Sequence, residues 1–214
     1  MRSLLTRTAT GLCLIVVLFI SLQFPLLFAG IVIAGCFYLF SIELPHLLKR
    51  QSFIIRLITM YSIVSAAFWL VRQAMSDNSQ SRSDLLLVLL SAIVFDTVSY
   101  FVGSALGKRK IAPKITPGKT WEGFLGGMIG LLAFISVWVG FNWQLALFYT
   151  LTLGLGAFFG DLYESWLKRK AGVKDSSALF PGHGGLYDRI DSLIGAIFIF
   201  SLIKRFVLYI NISA

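Results

Sequence analysis

The sequence predicts an all-α fold, a polytopic integral membrane helical bundle of about seven transmembrane helices. Three observations predict it. Of the 214 residues 57% are hydrophobic, only 14% are charged, and mean hydropathy is +0.82, far from a soluble domain. Apolar stretches long enough to span a bilayer recur along the chain. They are continuous rather than alternating, which argues against a β-barrel.

The elements follow in order. Arg2 and Arg7 precede an apolar run, as in a signal peptide, but no A-x-A cleavage site follows and a second apolar run begins at once. An uncleaved first span is therefore expected over about 8–22, ended by Gln23-Phe24-Pro25. The second covers 26–48, with Glu43 and Pro45 near its end, and the third covers 53–75. A polar loop is expected at 76–84, then a fourth span at 85–106 with Asp96 inside it. A basic loop over 107–119 leads to spans five, 121–141, and six, 144–163. The charged segment SWLKRKAGVKDSSALFPGHGGLYDRID leads into the seventh, 190–210.

The formal net charge of +9 suits the positive-inside rule better than a nucleic-acid partner, and none is expected. With the N-terminus in the cytoplasm, 15 of the 19 Lys and Arg fall inside and four fall outside or late in the last span. Both basic loops then share the cytoplasmic side, where a soluble phosphate compound would arrive. Cys13 and Cys36 sit in apolar spans and read as packing residues. His46 and His183 are too few and too far apart for a zinc cluster. Gly123/Gly127, Gly126/Gly130 and Gly156/Gly160 suit close helix packing before any phosphate role.

Charge beside hydrocarbon is expensive, so the segment from Ser165 to Asp191 is informative. It combines five cations, Asp175, Asp188, Asp191, His183 and four glycines. Carboxylates suit a cation, Lys and Arg suit an anion, and glycines permit close backbone approach. Asp188 and Asp191 share one face at the start of the last helix, where acidic residues are also ordinary capping partners. Asp161 and Glu164 form a second i,i+3 pair, with a salt bridge from Glu164 to Lys168 as the competing use. Hard oxygen ligands near phosphates suggest Mg²⁺. Asp96 at mid-helix costs ~2.5–3.5 kcal/mol on insertion scales and needs a cation, a cavity or hydroxyl partners. In Thr116-Pro117-Gly118-Lys119-Thr120, Pro117 sets a turn and Lys119 and Thr120 are expected to open the fifth helix, where N–H groups favour a phosphate. The spacing is not that of a P-loop. His183 suits proton transfer, phosphate binding or a loop hydrogen bond.

These residues carry a resemblance. Ser165-x-Leu-Lys168-Arg169, Lys174-Asp175 and Pro181-x-His183-Gly184-Gly185-Leu-x-Asp188-Arg189-Ile-Asp191 form a gapless signature that resembles the CDP-diacylglycerol synthases (phosphatidate cytidylyltransferases). Asp96 with Ser99-Tyr100-Phe101, Thr116-Pro117-x-Lys119-Thr120-Trp121-Glu122-Gly123, and Gly160-Asp161-Leu-x-Glu164-Ser165 resemble the family too. The specific likeness covers 96–191.

The resemblance implies transfer of CMP from CTP to phosphatidic acid, giving CDP-diacylglycerol and pyrophosphate. It implies Mg²⁺ with aspartates at Asp161, Asp188 and Asp191, room for a second cation, and homodimers in a bacterial inner membrane with the site facing the cytoplasm. Substrate contacts are expected from Asp96, Lys119, Thr120, Glu164, Lys168, Arg169, Lys174, Asp175, His183, Gly184, Gly185 and Arg189. Gly118 departs from the commoner Lys or Asn, and against typical bacterial members this sequence is expected to be shorter by about two N-terminal spans. The expected division is 1–95, scaffold helices with lipid and dimer contacts, and 96–214, the catalytic membrane region. The rivals are the same chemistry on another lipid phosphate, a cation- or proton-coupled transporter using Asp96 and Asp161, and a non-catalytic scaffold. The transporter predicts internal repeats and broken helices, and the sequence displays neither. Intact ligand positions disfavour the scaffold.

Overall fold

The computed structural model describes residues 2–181 and 184–213, with side chains over 9–181 and 184–204. Among them seven long helices follow one another: α1 Arg2–Gln23, α2 Pro25–Leu48, α3 Phe53–Ala74, α4 Ser79–Leu106, α5 Trp121–Trp138, α6 Trp143–Ala171 and α7 Tyr187–Ser213. A short antiparallel hairpin, β1 Lys110–Ala112 and β2 Thr116–Thr120, lies between α4 and α5 in sequence. The five helices α2 to α6 are long and apolar enough to cross a membrane, whereas the apolar part of α1, Ala9–Gln23, is shorter. Large apolar side chains such as Leu26, Phe37 and Ile129 are exposed on the helices, as hydrocarbon-solvated surfaces require. The chain is an all-α integral membrane protein.

Local chemistry explains the breaks. Phe24 is extended (φ −123°, ψ 96°) and Pro25 opens α2, because the residue before proline avoids helix while proline fits the first helical position. Inside α2, Leu39–Glu43 forms a π turn, closed by Leu44 N–H to the Leu39 carbonyl. Pro45 stands just beyond. It has no N–H and its ring crowds the carbonyl four residues back, and a wider turn relieves both.

Two of the boundary shifts have a visible local cause. Helix α4 begins at Ser79 inside the expected polar loop, because Asn78 Oδ1 accepts from Gln80 N and Gln80 Nε2 donates to Asp84 Oδ1, both at 2.9 Å. Helix α6 runs past 163 to Ala171, so Lys168 and Arg169 are helical. Cations suit a helix C-terminus, and Gly172 (φ +76°) ends the helix with its own N–H and that of Val173 returned to the Arg169 and Lys168 carbonyls.

The chain divides into two compact units. One holds the residues up to Leu85 together with Leu167–Ile190; the other holds Leu86–Trp166 together with the residues from Asp191 on. The first has Leu39, Leu44, Leu47 and Ile63 at its core. The second is built on close crossings. On α5, a Cβ at Gly126 or Gly130 would collide with Val102 or Val98 of α4. On α6, a Cβ at Gly156 would reach within 2.7 Å of Ala196 Cα on α7. Glycine here brings backbones together, as small residues do in membrane helix pairs.

Candidate active site

The second unit carries the acidic constellation. Asp161 and Glu164 lie one turn apart on α6, and Asp191 lies in the first turns of α7, where the glycine crossing brings the two backbones close. One carboxylate oxygen from each of Asp161, Glu164 and Asp191 falls within 4.8 Å of the other two. Glu164 is fully buried, and Asp161 and Asp191 are half-buried. Asp96 on α4 hydrogen-bonds the Ser192 side chain and lies within electrostatic reach of Asp161 and Lys119. Lys119, at the end of β2, makes an ion pair with Asp161 Oδ2, and its ammonium sits 5.1 Å from the centroid of the Phe158 ring. Ser165 Oγ donates to Asp161 Oδ1 at 3.3 Å.

A cavity of about 570 Å³ opens beside these groups, lined by Asp96, Ser99, Lys119, Thr120 and Asp161 with the aromatic rings of Phe95, Tyr100, Phe124 and Phe158. That is the size and make-up of a small-molecule site, apolar walls with a few convergent polar groups. Carboxylates this close repel one another, and a divalent cation removes that repulsion. The donor set is all hard oxygen and suits Mg²⁺, which takes one or two carboxylates and fills its remaining positions with water or phosphate.

Thr120 stands at the end of β2, one residue before the helix it was expected to open. It caps α5: its Oγ1 accepts from Gly123 N at 3.1 Å. Glu122 accepts from Lys108 N and Arg109 N at 3.1 and 3.2 Å, tying the start of the hairpin to α5.

The first unit carries the rest of the signature. Asp188, in the first turn of α7, has its carboxylate bound by protein donors. Oδ1 takes Lys168 Nζ at 2.5 Å, and Oδ2 takes Ser176 N and Oγ at 2.8 Å and Gly185 N at 2.7 Å. Burial pushes the Asp188 carboxyl up, but these donors outweigh it and hold it at about 2. Lys168, expected at a phosphate, points to Asp188. Arg169 Nη1 donates to the Val173 carbonyl at 3.2 Å, just beyond the end of α6. Lys174, Asp175 and Arg189 are exposed. Gly184 has φ +82°, a conformation that favours glycine, and its carbonyl accepts from Phe180 N at 2.9 Å. His183 lies outside the described residues.

Sequence reasoning assigned no role to Glu43, Ser176 and Ser177. Glu43 is fully buried, and its carboxylate takes four donors from the 176–187 segment. The signal was present: a carboxylate inside an apolar span is as costly as Asp96 and demands the same explanation.

The sequence matches the cytidylyltransferase family over residues 12–207. The chain belongs to that family. Phosphatidate cytidylyltransferase of Haemophilus influenzae is 45% identical over 133 residues, 58% of this chain and 46% of the relative. The uncharacterized protein YnbB of Escherichia coli is 40% identical over 159 residues, 72% of this chain and 52% of the relative. Phosphatidate cytidylyltransferase of Thermotoga maritima is 40% identical over 123 residues, 52% and 45% respectively. This cytidylyltransferase-family chain thus spans about half the length of the curated relatives it matches.

Proposed function

We propose that this chain is a phosphatidate cytidylyltransferase of a bacterial inner membrane, with its site on the cytoplasmic side, and that it works as a homodimer. The observation that carries the reading is the Asp161, Glu164 and Asp191 cluster beside Lys119 and the aromatic-walled cavity, within a cytidylyltransferase-family chain.

In the reaction, a phosphate oxygen of phosphatidic acid attacks the α-phosphorus of CTP. A new P–O bond forms, the bond to the β-phosphate oxygen breaks, and pyrophosphate leaves with its electron pair. A phosphate monoester is already ionised near neutral pH, so no general base is needed, and catalysis is positioning and charge stabilisation. Mg²⁺, when bound, would supply neutralisation of the triphosphate.

The chain's own residues divide the remaining work. Asp161 and Asp191 would hold the cation, with Glu164 adding charge from the buried side. Lys119 would exchange Asp161 for a phosphate oxygen. Asp96 and Thr120 would line the substrate cavity. Lys174 and Arg189, exposed and cationic, would meet phosphates. Asp188, which the family resemblance adds to the ligand set, would be kept ionised by its Lys168, Ser176 and Gly185 donors. The test is release of pyrophosphate from CTP plus phosphatidic acid, with and without Mg²⁺. A panel of other lipid phosphates separates this reading from the same chemistry on a different acceptor. No product from any lipid phosphate would end it.

A further inference from the structure

Glu43 carries an arrangement that the reaction above does not use. Oε1 takes Ser177 Oγ at 2.8 Å and Leu186 N at 2.7 Å; Oε2 takes Ser176 Oγ at 2.8 Å and Tyr187 N at 2.9 Å. Each oxygen thus receives one hydroxyl and one backbone N–H. Backbone N–H groups can only donate, so both sides must present an acceptor, which a carboxylate does and an amide does not. The side chain is fully buried, where an unsatisfied carboxylate would be prohibitive.

The surroundings are built for this contact. The π turn Leu39–Glu43 ends on Glu43 itself, and π turns inside α-helices recur at functional positions. A Cβ at Gly185 would collide with Ser176, Ser177 and Glu43, so only glycine lets the segment reach the carboxylate. Ser176 Oγ lies 2.8 Å from both Glu43 Oε2 and Asp188 Oδ2. One hydroxyl proton serves two carboxylates and links Glu43 directly to Asp188. Tyr38 Oη adds a contact to Ser177 Oγ at 3.2 Å.

We propose that Glu43 is a positioning residue for cytidylyl transfer: its carboxylate fixes Ser176, Ser177, Leu186 and Tyr187, and with them the start of α7 that carries Asp188 and Arg189, in the geometry turnover requires. The role rests on the proposed function. It makes the second helix of the chain part of the working machinery rather than scaffold.

Glu43→Gln in the full chain, purified in detergent, tests it by two readouts. Hydrogen exchange at Leu186 and Tyr187 should accelerate at least about tenfold, with α4 to α6 unchanged. Turnover per folded molecule should fall at least about tenfold with KM for CTP within about threefold, since misplacement acts on the transition state more than on binding. A merely structural role would lower the yield of folded protein and leave kcat per folded molecule at the wild-type value. Should Glu43→Gln fail to insert, the Ser176→Ala, Ser177→Ala double variant removes both hydroxyl donors, and the same two changes are expected at smaller size. Wild-type exchange in the variant overturns the pin. Faster exchange with unchanged kcat overturns the positioning role and leaves the proposed function standing. A wild-type chain that releases no pyrophosphate from CTP and phosphatidic acid overturns the proposed function and this role with it, while the exchange difference still reports the pin.

Discussion

Lys168 Nζ lies 2.5 Å from Asp188 Oδ1, joining the last turn of α6 to the first turn of α7. Both side chains are nearly buried, at 12% and 5% exposure. A pair in this setting is costly to break from one side, because the survivor is left uncompensated.

Lys168→Met and Asp188→Asn should therefore each reduce turnover by about a hundredfold or more, on the scale of a displaced active-site group. The double variant should cost much less than the sum. A double-mutant cycle on kcat/KM should give a coupling of about 1–3 kcal/mol; additive losses would mean that the two residues act separately.

Asp188 precedes the apolar run of α7, and its donors hold the carboxyl at about 2 against an ordinary 3.8. A depressed carboxyl pKa contributes stability that is complete above the unfolded value and is lost as pH falls through the folded one. The stability margin of wild type over Asp188→Asn, up to about 2 kcal/mol, should be constant from pH 7 to 5 and shrink between pH 4 and 2. Thermal unfolding in detergent across that range measures it. A margin that shrank instead as pH rose from 5 to 7 would contradict the assignment.

Helix crossings set the spacing of Asp161 and Asp191. A side chain at Gly160 would strike the Asp191 carbonyl and come within 2.8 Å of Gly195 Cα. Gly160→Val should destabilise the protein by about 1–3 kcal/mol, as overpacking does, and abolish turnover by separating the carboxylates. Gly30→Ala, with nothing within 4 Å of the added carbon, should be silent in both assays.

Lys119 balances Asp161 in the structure and lines the cavity. Lys119→Met should raise KM for CTP about tenfold or more, with Lys119→Arg retaining part of the affinity, as expected for a charge-assisted phosphate contact. Equal losses in both variants would point to a geometric rather than an electrostatic role.

Much of this was legible in the chain. Pro25, the long apolar runs and the glycine spacings state helices and crossings through local chemistry alone. The pairing of Asp161 with Asp191 was legible as types and spacings, because i,i+3 carboxylates at two helix ends stand out against apolar flanks. Asp188 was legible as a candidate ligand, but its binding by Lys168, Ser176 and Gly185 was not, since Ser176 and Gly185 are ordinary loop residues with no pattern that marks them as donors. Thr120 was misplaced by one residue because a short strand with a capping threonine and a helix first turn look alike in sequence. Glu43 was seen but given no role. Its partners lie more than 130 residues away, and no local pattern announces a contact of that range.

The most direct measurement is pyrophosphate release from CTP and phosphatidic acid by the purified chain, for wild type, Asp161→Asn and Asp191→Asn, across a Mg²⁺ titration. Wild type should show Mg²⁺-dependent release and CDP-diacylglycerol formation, with loss of about a hundredfold or more in either variant and no loss of membrane insertion. Full activity in both variants, or wild-type release that does not depend on a divalent ion, would contradict that expectation.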